Sequence, residues 1–217
     1  MFLVNYTSRI YFIKKSKQDK SLTMKRMILV SSPPACGKTF ISRQLAAALP
    51  HVVYLDKDTL IPLSKQIFRV AKKPYDRSSD FFEEQVRDYE YEVILNLGLE
   101  ALRYNDTVLI NAPFSREIRN PDYIAGLRKK LSEKNAKLTI IWVVTTTEVC
   151  KNRMLHRNSD RDASKIKHWD EYIRTVDFSV PKDVDGGEAD GLLLFYNSSE
   201  AEFLKSMHDV VASLQKE

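Results

Sequence analysis

Ser32-Pro33-Pro34-Ala35-Cys36-Gly37-Lys38-Thr39 stands between an apolar run, Met27-Ile28-Leu29-Val30-Ser31, and a segment whose apolar residues Phe40, Ile41, Leu45 and Leu49 recur at near-helical spacing. The stretch reads as a phosphate-binding loop between a strand and a helix. Triphosphate oxygens need several backbone N–H donors at once, a lysine charge near the β and γ phosphates, and a hydroxyl for Mg²⁺. Lys38 and Thr39 supply the last two, and Ser32 through Phe40 form the candidate nucleotide-binding segment. The pattern G-x-x-x-x-G-K-[ST] is imperfect, because Ser32 takes the place of its first glycine. Context carries the reading: Pro33 pushes Ser32 toward an extended conformation, and strand, loop and helix follow in the required order.

Four further apolar runs suit buried strands, at residues 52–55, 107–111, 138–144 and 191–196. Five strands with helices between them imply an α/β domain with a parallel sheet. A helix follows Thr39, a second spans Pro62 to Lys72, and a long third runs from Asp80 to Arg103 with Phe82, Val86, Tyr89, Val93 and Leu97 on one face. Asn120-Pro121 has the form of a helix cap followed by proline. Thr145-x-x-Glu148 and Ser199-x-x-Glu202 have the form of capping boxes. A last helix packs Phe203, Leu204, Met207, Val210, Val211 and Leu214, and the acidic stretch DVDGGEADG at 183–191 reads as a surface loop.

The 217 residues, 43% hydrophobic and 29% charged, suit one globular domain with small appendages. No apolar run approaches the ~20 residues that cross a bilayer. In the opening MFLVNYTSRIYFIKKSK the charge follows the apolar part, opposite to a secretory signal, so a cytoplasmic location without a membrane partner is expected. The formal charge of +5 is unevenly placed: residues 1 to 26 hold seven Lys/Arg against one acid and carry +6, leaving −1 for residues 27 to 217. The body therefore has no general polyanion-binding character. Residues 1–23 read either as a basic arm for RNA, membrane or a partner, or as a dispensable extension ahead of a start at Met24; the nucleotide-binding domain occupies 24–217. The two cysteines, Cys36 and Cys150, give no disulfide framework and no metal-ligand spacing. Cys36, beside Lys38 and a helix N-terminus, is either a thiol of lowered pKa or a small loop filler, and Cys150 reads as part of a helix.

Chemistry in an open parallel sheet gathers at the carboxyl ends of its strands. The second strand ends in Asp56-Lys57-Asp58-Thr59. One carboxylate there can take a proton from a substrate hydroxyl and the other can orient Mg²⁺ or its waters; the bland alternative is that Asp58 or Thr59 caps the next helix. The third strand ends in Asn111-Ala112-Pro113-Phe114-Ser115-Arg116. Asn111 can hydrogen-bond a metal-bound water but brings no charge, so the metal would lean on Thr39, the Asp pair and the phosphates. Arg116 is a candidate for an anionic or polar substrate, or for a surface ion pair. After the fourth strand Arg153, Arg157 and Arg161 recur every fourth residue, which gives a stripe on one helix or, with a break at Asn158-Ser159-Asp160, a flap of cations for phosphoryl transfer. Asp162 is placed to hold one of them or to cap a helix.

These strings resemble the small phosphate-loop kinases that include gluconate kinase, chloramphenicol phosphotransferase, zeta toxin and the kinase domain of polynucleotide kinase. The resemblance covers residues 27 to 178 and rests on SPPACGKT, LDKDTL (55–60), RDYEYEVI (87–94), NAPFSRE (111–117) and RMLHRNSDRD (153–162). It implies a three-layer α/β/α phosphate-loop NTPase fold with a five-stranded parallel sheet and a mobile helical lid, and an ATP- and Mg²⁺-dependent phosphotransferase. In that likeness Lys38, Asp58, Arg153, Arg157 and Arg161 are catalytic, with Asp58 the general base, and Asp56, Thr39 and Asn111 serve the metal. Substrate falls to Asp58, Arg87 and Arg116, with Glu90 and Tyr91 as helix surface and packing. The loop after the fifth strand, Asn197-Ser198, meets base or ribose in similar kinases, although capping the last helix is an equal reading here. Ser32, Ala35 and Asn111 depart from the family's Gly, Gly and Asp.

The leading function is a small-molecule or nucleoside kinase. Its alternatives are a polynucleotide 5′-kinase or other RNA-end enzyme that uses the basic tail, and a non-catalytic ATP-sensing protein, for which Asn111 is the best argument. No motif selects ATP over GTP, and neither the phosphate acceptor nor the oligomeric state is encoded in a readable way.

Overall fold

The computed structural model describes residues 24–157, 159–182 and 191–215, and within these not the side chains of Asp160, Arg161 and Ser164. The basic extension at 1–23 and residues 183–190 of the expected surface loop lie outside the described residues. Five strands, β1 (Lys25–Ser31), β2 (Val52–Asp56), β3 (Thr107–Asn111), β4 (Ala136–Val144) and β5 (Leu192–Tyr196), form one sheet in the order β2-β3-β1-β4-β5 with every pair parallel. All five expected strands are present. Around them, in chain order, run α1 (Lys38–Ala48), α2 (Ile61–Val70), α3 (Asp80–Phe82), α4 (Asp88–Ala101), α5 (Ser115–Ile118), α6 (Pro121–Ser132), α7 (Thr147–Arg157), α8 (Asp160–Lys167), α9 (Trp169–Thr175) and α10 (Glu200–Gln215).

The apolar runs are unbroken because both faces of the sheet are covered. Met27 and Leu29 of β1 point into the core under α4, α5 and α6, with Ile94, Ile118 and Leu127. Ile28 and Val30 point into the opposite core under α1, α7 and α10, with Ile41, Met154 and Val210. All four β1 residues are fully buried, which contributes about 1.5–3 kcal/mol for each such side chain. Gly98 of α4 faces Ile110 and Met27 so closely that a Cβ there would lie 2.9 Å from the Ile110 side chain. That glycine sets how near α4 sits to the sheet.

The long third helix departs from its expected face. Phe82 and Val86 are buried against Phe68 of α2, but Tyr89, Val93 and Leu97 are exposed. The buried residues of α4 are Glu90, Tyr91, Ile94, Leu95 and Gly98. The cause is a π-helical turn at Glu83–Arg87. One extra residue in the turn rotates everything after it by about 100°, a third of a helical turn, so the inward face moves from Tyr89, Val93 and Leu97 to Glu90, Tyr91, Ile94 and Leu95.

Caps follow the same pattern of near agreement. Asn120 Oδ1 accepts from the N–H groups of Asp122 and Tyr123, as its position before Pro121 suggests. Ser199 Oγ accepts from Glu202 N–H, while the Glu202 carboxylate accepts from Ser198 N–H. The first expected box is displaced: Thr146 Oγ1 accepts from Val149 N–H, whereas Thr145 donates to the carbonyl of Cys36. After β2 the cap is Asp56, whose Oδ1 accepts from Asp58 N–H, in place of Asp58 or Thr59.

Candidate nucleotide-binding site

The loop Ser32–Thr39 leaves β1 at the carboxyl edge of the sheet, and α1 begins at Lys38. Gly37 caps α1 with φ +94°, and Ala35 sits at φ +64°, also left-handed. The first turn of α1 contains no acid and no side-chain cap, so its N–H groups, which lack a carbonyl one turn back, and its positive dipole end are available to an anion. The loop is pinned through one atom. The Cys36 carbonyl accepts from Thr145 Oγ1 at 3.1 Å, Arg153 at 3.0 Å and Asn197 Nδ2 at 2.7 Å. Thr145 and Asn197 directly follow β4 and β5 and Arg153 lies within α7, so the neighbouring part of the sheet edge holds the loop in place. Burial lowers the pKa of Lys38, and Cys36, Asp58 and Asp56 oppose that shift. The ammonium is poorly solvated and would gain from phosphate oxygens.

Two of the expected metal residues meet. Asn111 Nδ2 donates to Thr39 Oγ1 at 3.1 Å, and Asn111 Oδ1 is buried with no hydrogen-bond partner. That orphaned oxygen fits a metal-bound water. Asp56 stands beside Asn111 in the β2–β3 register, its carboxylate also accepting from Tyr54 OH at 3.0 Å. The donor set of hydroxyl, amide oxygen and carboxylate suits Mg²⁺ held mainly through water.

Asp58 is exposed, with 54% of its side chain open to solvent. Lys57 between the two aspartates is buried and pairs with Glu90 at 2.7 Å. Glu90 also accepts from Arg77 at 3.0 and 2.6 Å and from Ser64 Oγ. Burial alone would raise the Glu90 pKa, but the bonds from Arg77, Lys57 and Ser64 outweigh it and hold the carboxyl below its usual range. This hub ties the turn after β2, α2 and α4 together behind Asp58, so Glu90 is a buried anchor and not the helix surface expected of it.

The arginines separate. Arg153 donates to the carbonyls of Cys36 and Asn197, the latter at 2.8 Å, and so braces the loop. Arg157 binds the buried Asp162 through two nitrogens at 2.8 and 2.6 Å, joining α7 to α8 across the expected break. The side chain of Arg161 lies outside the described residues. Arg87 is committed to Glu117 at 2.7 Å and lies over the Tyr91 ring; it is not open to a substrate in this arrangement. Arg116, 66% exposed, pairs with Glu83 at 2.7 Å.

Phe40, Arg153, Asn197, Ser198 and Phe203 line a cavity of about 420 Å³ beside the loop. A larger one of about 550 Å³ lies between α4 and α6 and includes none of the loop residues. The smaller cavity adjoins the start of α1 through Phe40, and its lining includes Arg153 and Asn197, which hold the Cys36 carbonyl. The roles of Thr145, Lys57 and Glu90 escaped the sequence reading, which took Thr145 for a helix cap and Glu90 for helix surface. Thr145 follows β4 directly and so falls under the strand-end rule, whereas nothing in the local pattern marks Glu90.

Residues 27–178 match the model of a family described as an AAA domain. No curated protein matches the sequence. Among solved structures the fold is similar to a candidate kinase from Chloroflexus aurantiacus J-10-fl, 19% identical with TM-score 0.61, over 89% of this chain and 98% of that one. It is also similar to a gluconokinase from Sinorhizobium meliloti 1021, 16% identical with TM-score 0.53, over 89% and 95% of the two chains. Kti12 from Chaetomium thermophilum, in complex with ADP-AlF3, is 20% identical with TM-score 0.52 over 86% and 98%. At these identities the likeness is one of fold, and the fold is that of the small phosphate-loop kinase group. With its family model matched across both cores and the phosphate loop, the chain belongs to the AAA domain family.

Proposed function

We propose that the protein is an ATP-dependent phosphotransferase acting on a hydroxyl of a small molecule or nucleoside. The observation that carries this reading is the pairing of a braced phosphate loop after β1 with an exposed carboxylate, Asp58, after β2, on the far side of β3 at the same edge of the sheet. Triphosphate oxygens take the N–H groups at the start of α1 and the Lys38 ammonium, and the base occupies the cavity of Phe40, Arg153, Asn197 and Phe203. Mg²⁺ would be held by Thr39, Asn111 and Asp56, mainly through water, and would supply positive charge to offset that of the phosphates. Asp58 accepts the acceptor's hydroxyl proton as its oxygen attacks the γ phosphorus; the bond from that phosphorus to the β–γ bridging oxygen breaks, and the electron pair leaves with ADP. Arg157 at the end of α7 and Arg161 approach the transferring group when α8 closes, and Arg116 contributes to acceptor binding. Residues 1–23 form a basic extension to a single domain, 24–217, in a cytoplasmic protein. Among the described residues no helix is long and apolar enough to cross a membrane.

The test is transfer of labelled γ-phosphate from ATP, with Mg²⁺, to pooled nucleosides, sugars, aminoglycosides, chloramphenicol and 5′-hydroxyl oligonucleotides, with Lys38→Ala as the blank. A labelled product that vanishes in Asp58→Asn while ATP binding persists supports the reading. Equal loss of ATP binding in Lys38→Ala and Asp58→Asn would make Asp58 structural. Asn111 favours one second reading, an ATP-sensing protein without turnover, which predicts ATP binding and no product from any acceptor.

A further inference from the structure

We propose that Cys36 and Cys150 form an oxidisable thiol pair whose disulfide weakens nucleotide binding by the loop Ser32–Thr39. The proposal rests on nucleotide binding at that loop and not on phosphoryl transfer. The two sulfurs come from positions 114 residues apart and lie 3.6 Å from each other. Both side chains are buried, 1% and 0% exposed, and they are the two cysteines of the chain, so neither has another intramolecular partner. A disulfide requires a sulfur separation of about 2.05 Å, a closure of roughly 1.5 Å from the present contact.

The two sides of the pair are unequally held. Cys150 belongs to α7, its N–H bonded to Thr146 O at 3.0 Å and its backbone fixed by the helix. Cys36 belongs to a loop flanked by two left-handed residues, Ala35 and Gly37, and fastened through its carbonyl. Closure therefore moves the loop. A shift at Cys36 passes directly to Gly37 and to the Lys38 and Thr39 N–H groups that face the phosphates.

The pair also has a direction. The hydrogen bond from Cys150 holds the Cys36 thiol below its usual range, against burial and with help from the Lys38 charge. The same contact and burial push Cys150 up. Cys36 is the attacking sulfur and Cys150 the resolving one. With a peroxide as oxidant, the Cys36 thiolate attacks one oxygen, the O–O bond breaks, and a sulfenic acid and hydroxide form. The Cys150 sulfur then attacks the sulfenic sulfur, its proton leaving with the displaced hydroxyl as water. Two thiols and one hydrogen peroxide give one disulfide and two waters. In a reducing compartment such a bond is transient, as suits a sensor more than a structural link. Linkage makes the effect reciprocal: if the bond weakens ATP binding, bound ATP opposes the bond by the same factor.

The experiment treats the full chain with hydrogen peroxide, with and without Mg²⁺ and ATP, and reads intact mass, cysteine-containing peptides and ATP affinity. Affinity of the reduced protein is measured first; no binding there would overturn the nucleotide reading and this proposal with it, while the mass readout still reports the bond. The expected results are a mass loss of about 2 Da and a linked Cys36–Cys150 peptide. ATP binding should weaken about tenfold, on the scale of one lost loop hydrogen bond, and recover with dithiothreitol. Mg²⁺ with ATP should slow the oxidation. Cys150→Ala should bind ATP like the reduced protein and keep that affinity after a peroxide dose that weakens wild type. Two thiols that still alkylate freely after peroxide, or a linked protein that binds ATP as tightly as the reduced form, would overturn the proposal.

Discussion

The amide nitrogen of Asn111 donates to the hydroxyl of Thr39 across 3.1 Å, and its amide oxygen, buried, receives nothing. A hydroxyl that accepts from Asn111 still has a lone pair for a metal and a proton for a phosphate. A metal bound here as proposed would meet a neutral amide oxygen from Asn111, with the charge supplied by Asp56 beside it in the β2–β3 register.

Asn111→Asp should make the protein less stable without metal and more responsive to it. A new carboxylate at this buried position, beside Asp56 in the β2–β3 register, costs about 1–3 kcal/mol when unpaired. Mg²⁺ with ATP should offset that cost, so the rise in melting temperature on adding both should exceed that of wild type. Thermal unfolding with and without Mg²⁺ and ATP checks it; equal ligand-induced shifts in both proteins would separate Asn111 from the metal.

Glu90 should contribute an acid-sensitive part of the stability. Its folded pKa is depressed, so its contribution is complete above the unfolded value near 4.5 and is lost as pH falls through the lower folded value. Glu90→Gln removes the buried counter-charge of Lys57, leaving it the exposed Asp58 at 4.0 Å, and should cost about 3 kcal/mol at neutral pH, the scale for breaking a buried pair. The gap between wild type and variant in urea unfolding should narrow as pH drops from about 5 toward 3. A gap that stays constant over that range would remove Glu90 from the ionised hub.

What the sequence revealed and what it hid have separate physical causes. Met27–Ser31 is readable because burial on both faces of a central strand demands an unbroken apolar run, and Gly37-Lys38-Thr39 is readable because phosphate binding dictates residue types at fixed spacing. Glu90 is opaque since a glutamate in a helix looks solvated, and its partners Lys57 and Arg77 are 33 and 13 residues away. The contact between Cys36 and Cys150 arises only when the loop after β1 meets α7. Arg153 was found by spacing, yet the spacing could not tell a lid cation from a brace on the Cys36 carbonyl.

The phase of α4 can be tested with neighbouring residues. A continuous helix would bury Val93; the π-helical turn exposes it by 41% and leaves Ile94 at 1%. Val93→Ala should change stability by no more than about 0.5 kcal/mol, and Ile94→Ala should cost about 3 kcal/mol through lost burial and a cavity against β1 and β3. Denaturant unfolding of the two variants decides it, and the reverse order of losses would place the turn elsewhere.

Gly37 and Ala35 make opposite predictions within one loop. Gly37 has φ +94°, and a Cβ there would stand 2.5 Å from Asn197 Nδ2, the atom that donates to the Cys36 carbonyl. Gly37→Ala should therefore cost about 2 kcal/mol, combining left-handed strain with a displaced brace, and should weaken ATP binding by more than about tenfold because the N–H groups beyond it move. Ala35 already carries a side chain at φ +64°. Ala35→Gly relieves that strain while adding freedom to the unfolded chain, so the two effects nearly cancel and stability should change by less than about 1 kcal/mol. Thermal unfolding and ATP titration of both variants read the contrast. If Gly37→Ala binds ATP like wild type, the loop is not held in place through Cys36 and Asn197.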